Sequence, residues 1–238
     1  MLGRTSFRAC FGFFALCLLA LTGSAAAVAT EWSTGTALTD QLGNEDSEFP
    51  VVAVAPNGAA LTVWRDREDN SVRYASRPAG GSFSGRVALE APGSSTAEGK
   101  PAVALNSAGA AVVAWTRQVS GEEVVEAAYR PADGSFSSPA TLSPAGEAAT
   151  APDVAISASG KAIVVWSVAA DSISPHFAEA SVYSPSGGFS AGETLNGPSD
   201  SGYLLPLQAH VAIDGDGNAI AVFPSTRPDI GPGFENPV

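Results

Sequence analysis

The sequence predicts an all-β fold: a β-propeller of four-stranded antiparallel blades, three of them complete and a fourth partial. Three observations predict it. Trp64, Trp115 and Trp166 stand 51 residues apart, a period in the range of stacked structural repeats. Each Trp closes a short apolar run, and in Ala111-Val112-Val113-Ala114-Trp115 the apolar residues are consecutive, which marks a strand covered on both faces. A second anchor follows each Trp: Phe83-Ser84 with Leu89, Phe136-Ser137 with Leu142, and Phe189-Ser190 with Leu195.

Each element of the unit has its own signature. Val51 to Val54 and Ala59 to Trp64 are short, β-branched-rich runs joined by Ala55-Pro56-Asn57-Gly58, the pattern of strand, tight turn and strand. Gly58, Gly109, Gly160 and Gly217 recur at the end of this turn, where a positive φ is wanted and only glycine adopts it without a steric cost. Pro50, Pro101 and Pro152 recur at the start of the first strand, and Ala60, Ala111, Ala162 and Ala219 at the start of the second. Phe223 takes the aromatic place in the fourth copy, and Ala209 replaces its proline. Val124 to Arg130 and Phe136 to Leu142, separated by Pro131-Ala132-Asp133-Gly134, supply the third and fourth strands. Small sheets covered on both sides by copies of themselves are propeller blades. The rival architecture, a β-solenoid, ordinarily has shorter repeats.

The ends carry different signals. Met1 to about Ala29 reads as a secretory signal peptide: Arg4 and Arg8, an apolar run from Phe11 to Leu21, then Ser24, Ala25, Ala26, Ala27 and, as a second cleavage option, Ala29. That run is about half of what a bilayer crossing needs, so no membrane span is expected. Residues 30–238 form the repeat domain, with units at about 50–100, 101–151, 152–208 and 209–238. Trp32 to Leu38 fits the second anchor with no first anchor before it and is expected as an orphan closing strand. Pro224, Pro228, Pro232 and Pro237 disfavour further regular strands, so the chain is expected to be a truncated copy of a longer propeller. A complete ring would be a monomer.

The pattern Pro-x-Val-Ala-Val-x-x-x-Gly-x-Ala-x-x-x-Trp, as in Pro50 to Trp64, resembles the repeats of secreted bacterial sialidase-like and WD40-like β-propellers. The resemblance runs from Trp32 to Phe223. It implies a propeller fold and, for the sialidase-like members, an arginine cluster with a Tyr–Glu nucleophile pair and an Asp acid. Arg65, Arg67, Arg117, Tyr74 and Tyr129 are of the right types, but the spacing from Gly to Trp departs from the aspartate box of sialidases. A glycoside hydrolase, or the inactive remnant of one, is therefore one alternative to a non-enzymatic scaffold that binds an extracellular glycan or protein, and a truncated fragment without independent function is another.

Charge and residue supply narrow the chemistry further. Removal of residues 1–29 takes two arginines and no acid from 12 basic and 24 acidic residues, so the net charge goes from −12 to −14. Lys100 and Lys161 are the only lysines, and nucleic acid is not an expected partner. Cys10 and Cys17 lie in the removable segment, so disulfides and thiolate sites are not expected beyond it. No cofactor is expected. Asp214, Asp216 and Asn218 look like a partial calcium loop that lacks the bidentate Glu, but they occupy the same turn as Asn57-Gly58, so a plain β-turn accounts for them. His176 and His210 are too few for a His-based zinc site. The loops after the second strand vary in length, which places the expected binding face there: Arg65, Asp66, Arg67, Arg117, Gln118 and Asp171 on one rim.

Overall fold

The computed structural model describes residues 37–38, 47–89, 96–144, 146–169, 176–195 and 208–223. Residues 1–29, expected as a signal peptide, together with Asp171 and most of Trp32–Leu38, lie outside these. Three sheets carry the four-stranded order. The first is β1 (Ser47–Val54), β2 (Ala60–Asp66), β3 (Ser71–Arg77) and β4 (Val87–Ala88); the second is β5 (Thr96–Leu105), β6 (Ala111–Val119), β7 (Glu122–Arg130) and β8 (Ala140–Thr141). The third is β9 (Ala148–Ile156), β10 (Ala162–Ala169) and β11 (His176–Ser184), with the outer place shared by β12 (Gly188–Phe189) and β13 (Glu193–Thr194). A fourth sheet has two strands, β14 (His210–Ile213) and β15 (Ala219–Val222). All pairings are antiparallel, and all but that of β13 with β11 join neighbours in sequence.

The period of 2 along each strand divides its residues between two interfaces. Leu61 and Val63 of the first sheet pack with Val113 and Trp115 of the second. Val112 and Ala114, on the other face of the second, pack with Val164 and Trp166 of the third. Val165 and Ala178 of the third meet Val211, Ala221 and Phe223 of the fourth. Trp115 and Trp166 therefore each face the preceding sheet. Trp115 and Trp166 are fully buried, and truncating either to Ala costs about 3–5 kcal/mol. Face-to-face stacking of successive meanders, inner strand beside inner strand, is the packing of propeller blades.

The turn between the first two strands is the same in all four sheets. Ala55, Asn106, Ser157 and Asp214 each accept from the glycine three residues on, at 2.8–3.2 Å, and the glycine holds a φ of 85° to 89°. Side chains bolt each turn to the next: Asn57 Nδ2 donates to the Ser107 carbonyl (2.8 Å), Asn106 Nδ2 to Ser157 (2.9 Å) and Lys161 Nζ to Gly217 (2.9 Å).

Two features depart from expectation. The fourth strand is far shorter than Phe136 to Leu142, because it touches β7 at separated points. Ser137 pairs with Tyr129 through its own N–H and its Oγ, Pro139 has no N–H to give, and only Ala140–Thr141 resume the ladder. Ser84 and Ser190 make the same two bonds to Ser76 and Val182, which explains the Phe-Ser signature. The first strand, by contrast, is longer than Val51 to Val54. It starts at Ser47 and passes through a bulge at the proline, where Phe49 (φ 51°), Gly99 (φ 63°) and Ala151 (φ 52°) are left-handed. A left-handed Phe or Ala is sterically costly, and such strain collects at functional sites.

Candidate functional site

The bulges of the inner strands surround a cavity of about 270 Å³. All four sheets contribute to its wall: Val51 and Val52 from β1, Lys100 to Val103 from β5, Ala151 to Asp153 from β9, and Gln208 to His210 leading into β14. Such a bulge redirects the side chains beside it. The column Val51, Ala102, Asp153 and His210 occupies one repeat position, and all four members line the cavity.

The polar chemistry sits on one side. Asp153 Oδ2 accepts from the Val211 N–H at 3.0 Å and lies 3.2 Å from His210 Nδ1, while Oδ1 accepts from the Val154 N–H at 2.9 Å. Two backbone donors fix the carboxylate, and the His210 ring, largely exposed, is held against it. Lys100 and Gln208 add a cationic and an amide group. Bracing on paired strands makes this a preorganised set of donors and acceptors beside the apolar Val51, Val52, Ala102 and Val103, the common make-up of a small-molecule site. The volume lies just under the range of about 300–1,000 Å³ for drug-sized ligands, which suits a single sugar ring or a side chain of similar bulk.

The rim expected from sequence is built differently. Arg65 and Asp66 belong to β2, and Arg117 and Gln118 to β6, rather than to loops. Arg67 alone of the described five starts a turn, at 3.3 Å from Glu48, which also lies 3.6 Å from Arg65. Asp66 is buried in an ion pair with Arg73 (2.7 Å). Arg117 Nη1 donates to both oxygens of the buried Glu126, at 2.9 and 3.1 Å. These contacts are cross-strand ties within single sheets. Tyr74 packs edge-on against Phe136, and Tyr129 stacks on Tyr183 at 3.7 Å. Burial, with Tyr183 beside it, raises the Tyr129 phenol above its usual range.

In the fourth turn, Asp214 Oδ1 accepts from the N–H groups of Asp216 and Asn218, and Oδ2 from Asn218 Nδ2. The hydrogen bonds from Asn218 hold the Asp214 carboxyl below its usual range. Its oxygens thus serve the turn itself. Among the described residues no three His, Cys, Asp or Glu side chains group as a metal site, and no helix is long and apolar enough to cross a membrane.

Lys100, Asp153, Gln208 and His210 were not the residues that sequence singled out for binding. The signal that could have found them is their departure from the template: Ala102 and Val51 hold small apolar places where Asp153 and His210 bring charge and an imidazole.

No protein-family profile matches the chain, and no curated protein matches it. Among solved structures, it is similar to a Hadza microbial sialidase, Hz136, at 13% identity and a TM-score of 0.50, covering 76% of this chain and 44% of that one. An ulvan lyase of a new polysaccharide lyase family aligns at 9% identity and a TM-score of 0.46, covering 71% and 47%. An endo-arabinase from Bacteroides thetaiotaomicron aligns at 16% and 0.42, covering 78% and 77%. The chain spans less than half the length of the sialidase and the lyase. What it shares with the sialidase is the β-propeller fold.

Proposed function

We propose that this chain is a secreted propeller module that binds an extracellular glycan in the axial cavity without turning it over. The observation that carries the reading is the cavity where four inner strands meet, with Asp153, His210, Lys100 and Gln208 on its wall. Hydroxyl groups of a sugar need donors and acceptors at fixed positions, and an Asp braced by two backbone N–H groups supplies such an acceptor. Glycoside hydrolysis by the common route needs a pair of carboxylates facing the glycosidic bond. Among the described lining residues Asp153 is the single carboxylate, which favours binding over catalysis. Secretion rests on the order of Arg4 and Arg8, the apolar run and the small residues near Ala27.

A glycan array followed by calorimetry tests the proposal. The expected result is saccharide binding that Asp153→Ala and His210→Ala each weaken about tenfold, the loss of one well-made hydrogen bond. Absence of any saccharide ligand, or affinity indifferent to both substitutions, rejects it. Turnover of a fluorogenic glycoside that is lost in Asp153→Asn would replace it with the hydrolase reading.

A further inference from the structure

We propose that Phe49 is the stacking platform of the axial site, and that the saccharide it takes is a pyranose with one face built of C–H bonds. The inference rests on the glycan reading of the cavity and adds to it the face by which the sugar ring is held.

The residue just before the strand-opening proline, or before Ala209 in the fourth copy, is Phe49, Lys100, Ala151 and Gln208 in successive sheets. Lys100, Ala151 and Gln208 all line the cavity. Phe49 follows Ala151 most closely. β1 and β9 carry the same bulge at the same register: Glu48 pairs with Arg65 and Val51 with Val63, as Thr150 pairs with Ser167 and Asp153 with Val165. Phe49 and Ala151 also share the left-handed conformation, with φ of 51° and 52°. The same backbone at the same register sends both side chains the same way, so the Cβ of Phe49 leaves the first sheet as that of Ala151 leaves the third. Val51, next but one along β1, is itself on the cavity wall.

Core packing does not account for a ring at this place. Phe49 is 45% exposed, it belongs to none of the buried clusters formed by the described residues, and no other described ring packs on it. A left-handed Phe is nonetheless a steric outlier, and the second sheet makes its own bulge with a glycine, Gly99. A conformational cost that so little burial offsets points to a use for the side chain in binding. The face of an aromatic ring is electronegative and attracts polarised C–H bonds. A pyranose offers two surfaces at once, C–H bonds for Phe49 on one face and hydroxyl groups at its edge for Asp153 and His210.

Calorimetry with a saccharide found on the array, using the protein expressed from its full reading frame, tests this. Phe49→Gly removes the ring and suits the left-handed backbone, so the melting temperature should rise while affinity falls about tenfold. Phe49→Tyr keeps a ring and should bind as the wild type does. The open-chain alditol of the same sugar carries the hydroxyls without a ring face and should not compete. Unchanged affinity in Phe49→Gly overturns the proposal, as does an alditol that competes as well as the pyranose. A Phe49→Gly variant that loses stability along with affinity assigns the ring to packing and overturns it too. Binding weakened by Asp153→Ala but not by Phe49→Gly removes the platform and leaves the glycan reading standing, whereas a wild type that binds no saccharide removes both.

Discussion

The second and third sheets share a motif and differ in one residue of it. In the second, Glu126 lies opposite Trp115, accepts from the Thr141 hydroxyl at 3.4 Å, and is met by Arg117, two residues after the Trp. In the third, Glu179 lies opposite Trp166, accepts from the Thr194 hydroxyl at 3.3 Å, and finds Val168 where Arg117 would be. The first sheet makes the same tie with reversed charges, Asp66 after Trp64 and Arg73 across from it. Position, not charge sign, is what recurs: the place beside the Trp is buried, so a charge there needs a partner. Among the described residues no arginine pairs with Glu179, and its acidity changes accordingly. Burial first, and the Glu147 carboxylate second, raise it above the usual glutamate range, and Thr194 and Trp166 offset them only in part.

Removing Arg117 should make the second sheet resemble the third. Arg117→Ala leaves Glu126 buried and unpaired, and a loss of about 3 kcal/mol is expected in chemical denaturation. Adding Glu126→Gln should return much of it; additive losses would mean that the pair is not coupled. Relieving the third sheet has the opposite sign. Glu179→Gln should stabilise at neutral pH by about 1 kcal/mol, since it removes a poorly served buried charge. The direction of the shift sets the pH dependence. Folded Glu179 holds its proton more tightly than the unfolded chain does, so its contribution is most favourable below the ordinary glutamate range. It is lost as pH rises through that range to the raised folded value. The gap between wild type and Glu179→Gln should therefore open with rising pH and then level off; a constant gap would remove Glu179 from the account.

The smallest effect belongs to the exposed fourth turn. Asp214→Ala deletes three hydrogen bonds that the left-handed Gly217 partly makes redundant, and a slight fall in melting temperature is expected. Here the folded carboxyl is the more acidic, so any benefit is present above the ordinary aspartate range and fades as pH falls through the depressed value.

These contrasts also mark what could be read from sequence. Blade architecture was legible because its causes are local and periodic: a glycine that must turn left, and an aromatic that must fill the wedge between sheets. The bulges were not, since Phe49 and Ala151 are left-handed without being glycine and only Gly99 announces the conformation. Nor were the ion pairs. Their partners belong to different anchors, so Arg117 and Val168 keep the Trp spacing while Glu126 and Glu179 sit across a hairpin of drifting length. Charged residues at strand ends then look like a rim open to ligands. The cavity was hidden for the reverse reason: Asp153 and His210 look like tolerated variation at a strand start, and only the packing of inner strand beside inner strand brings that column together.

That cavity has a mechanical consequence. In an array of repeats each unit is steadied by its neighbours, and the last is the weakest link. The fourth sheet, of which two strands are described, has such a neighbour in the first, since Gln208, Ala209 and His210 place it on the same wall. A guest bridging them would act as a clasp, and the melting temperature of the whole array would climb with guest concentration. Occupancy and integrity would then be two readings of one equilibrium.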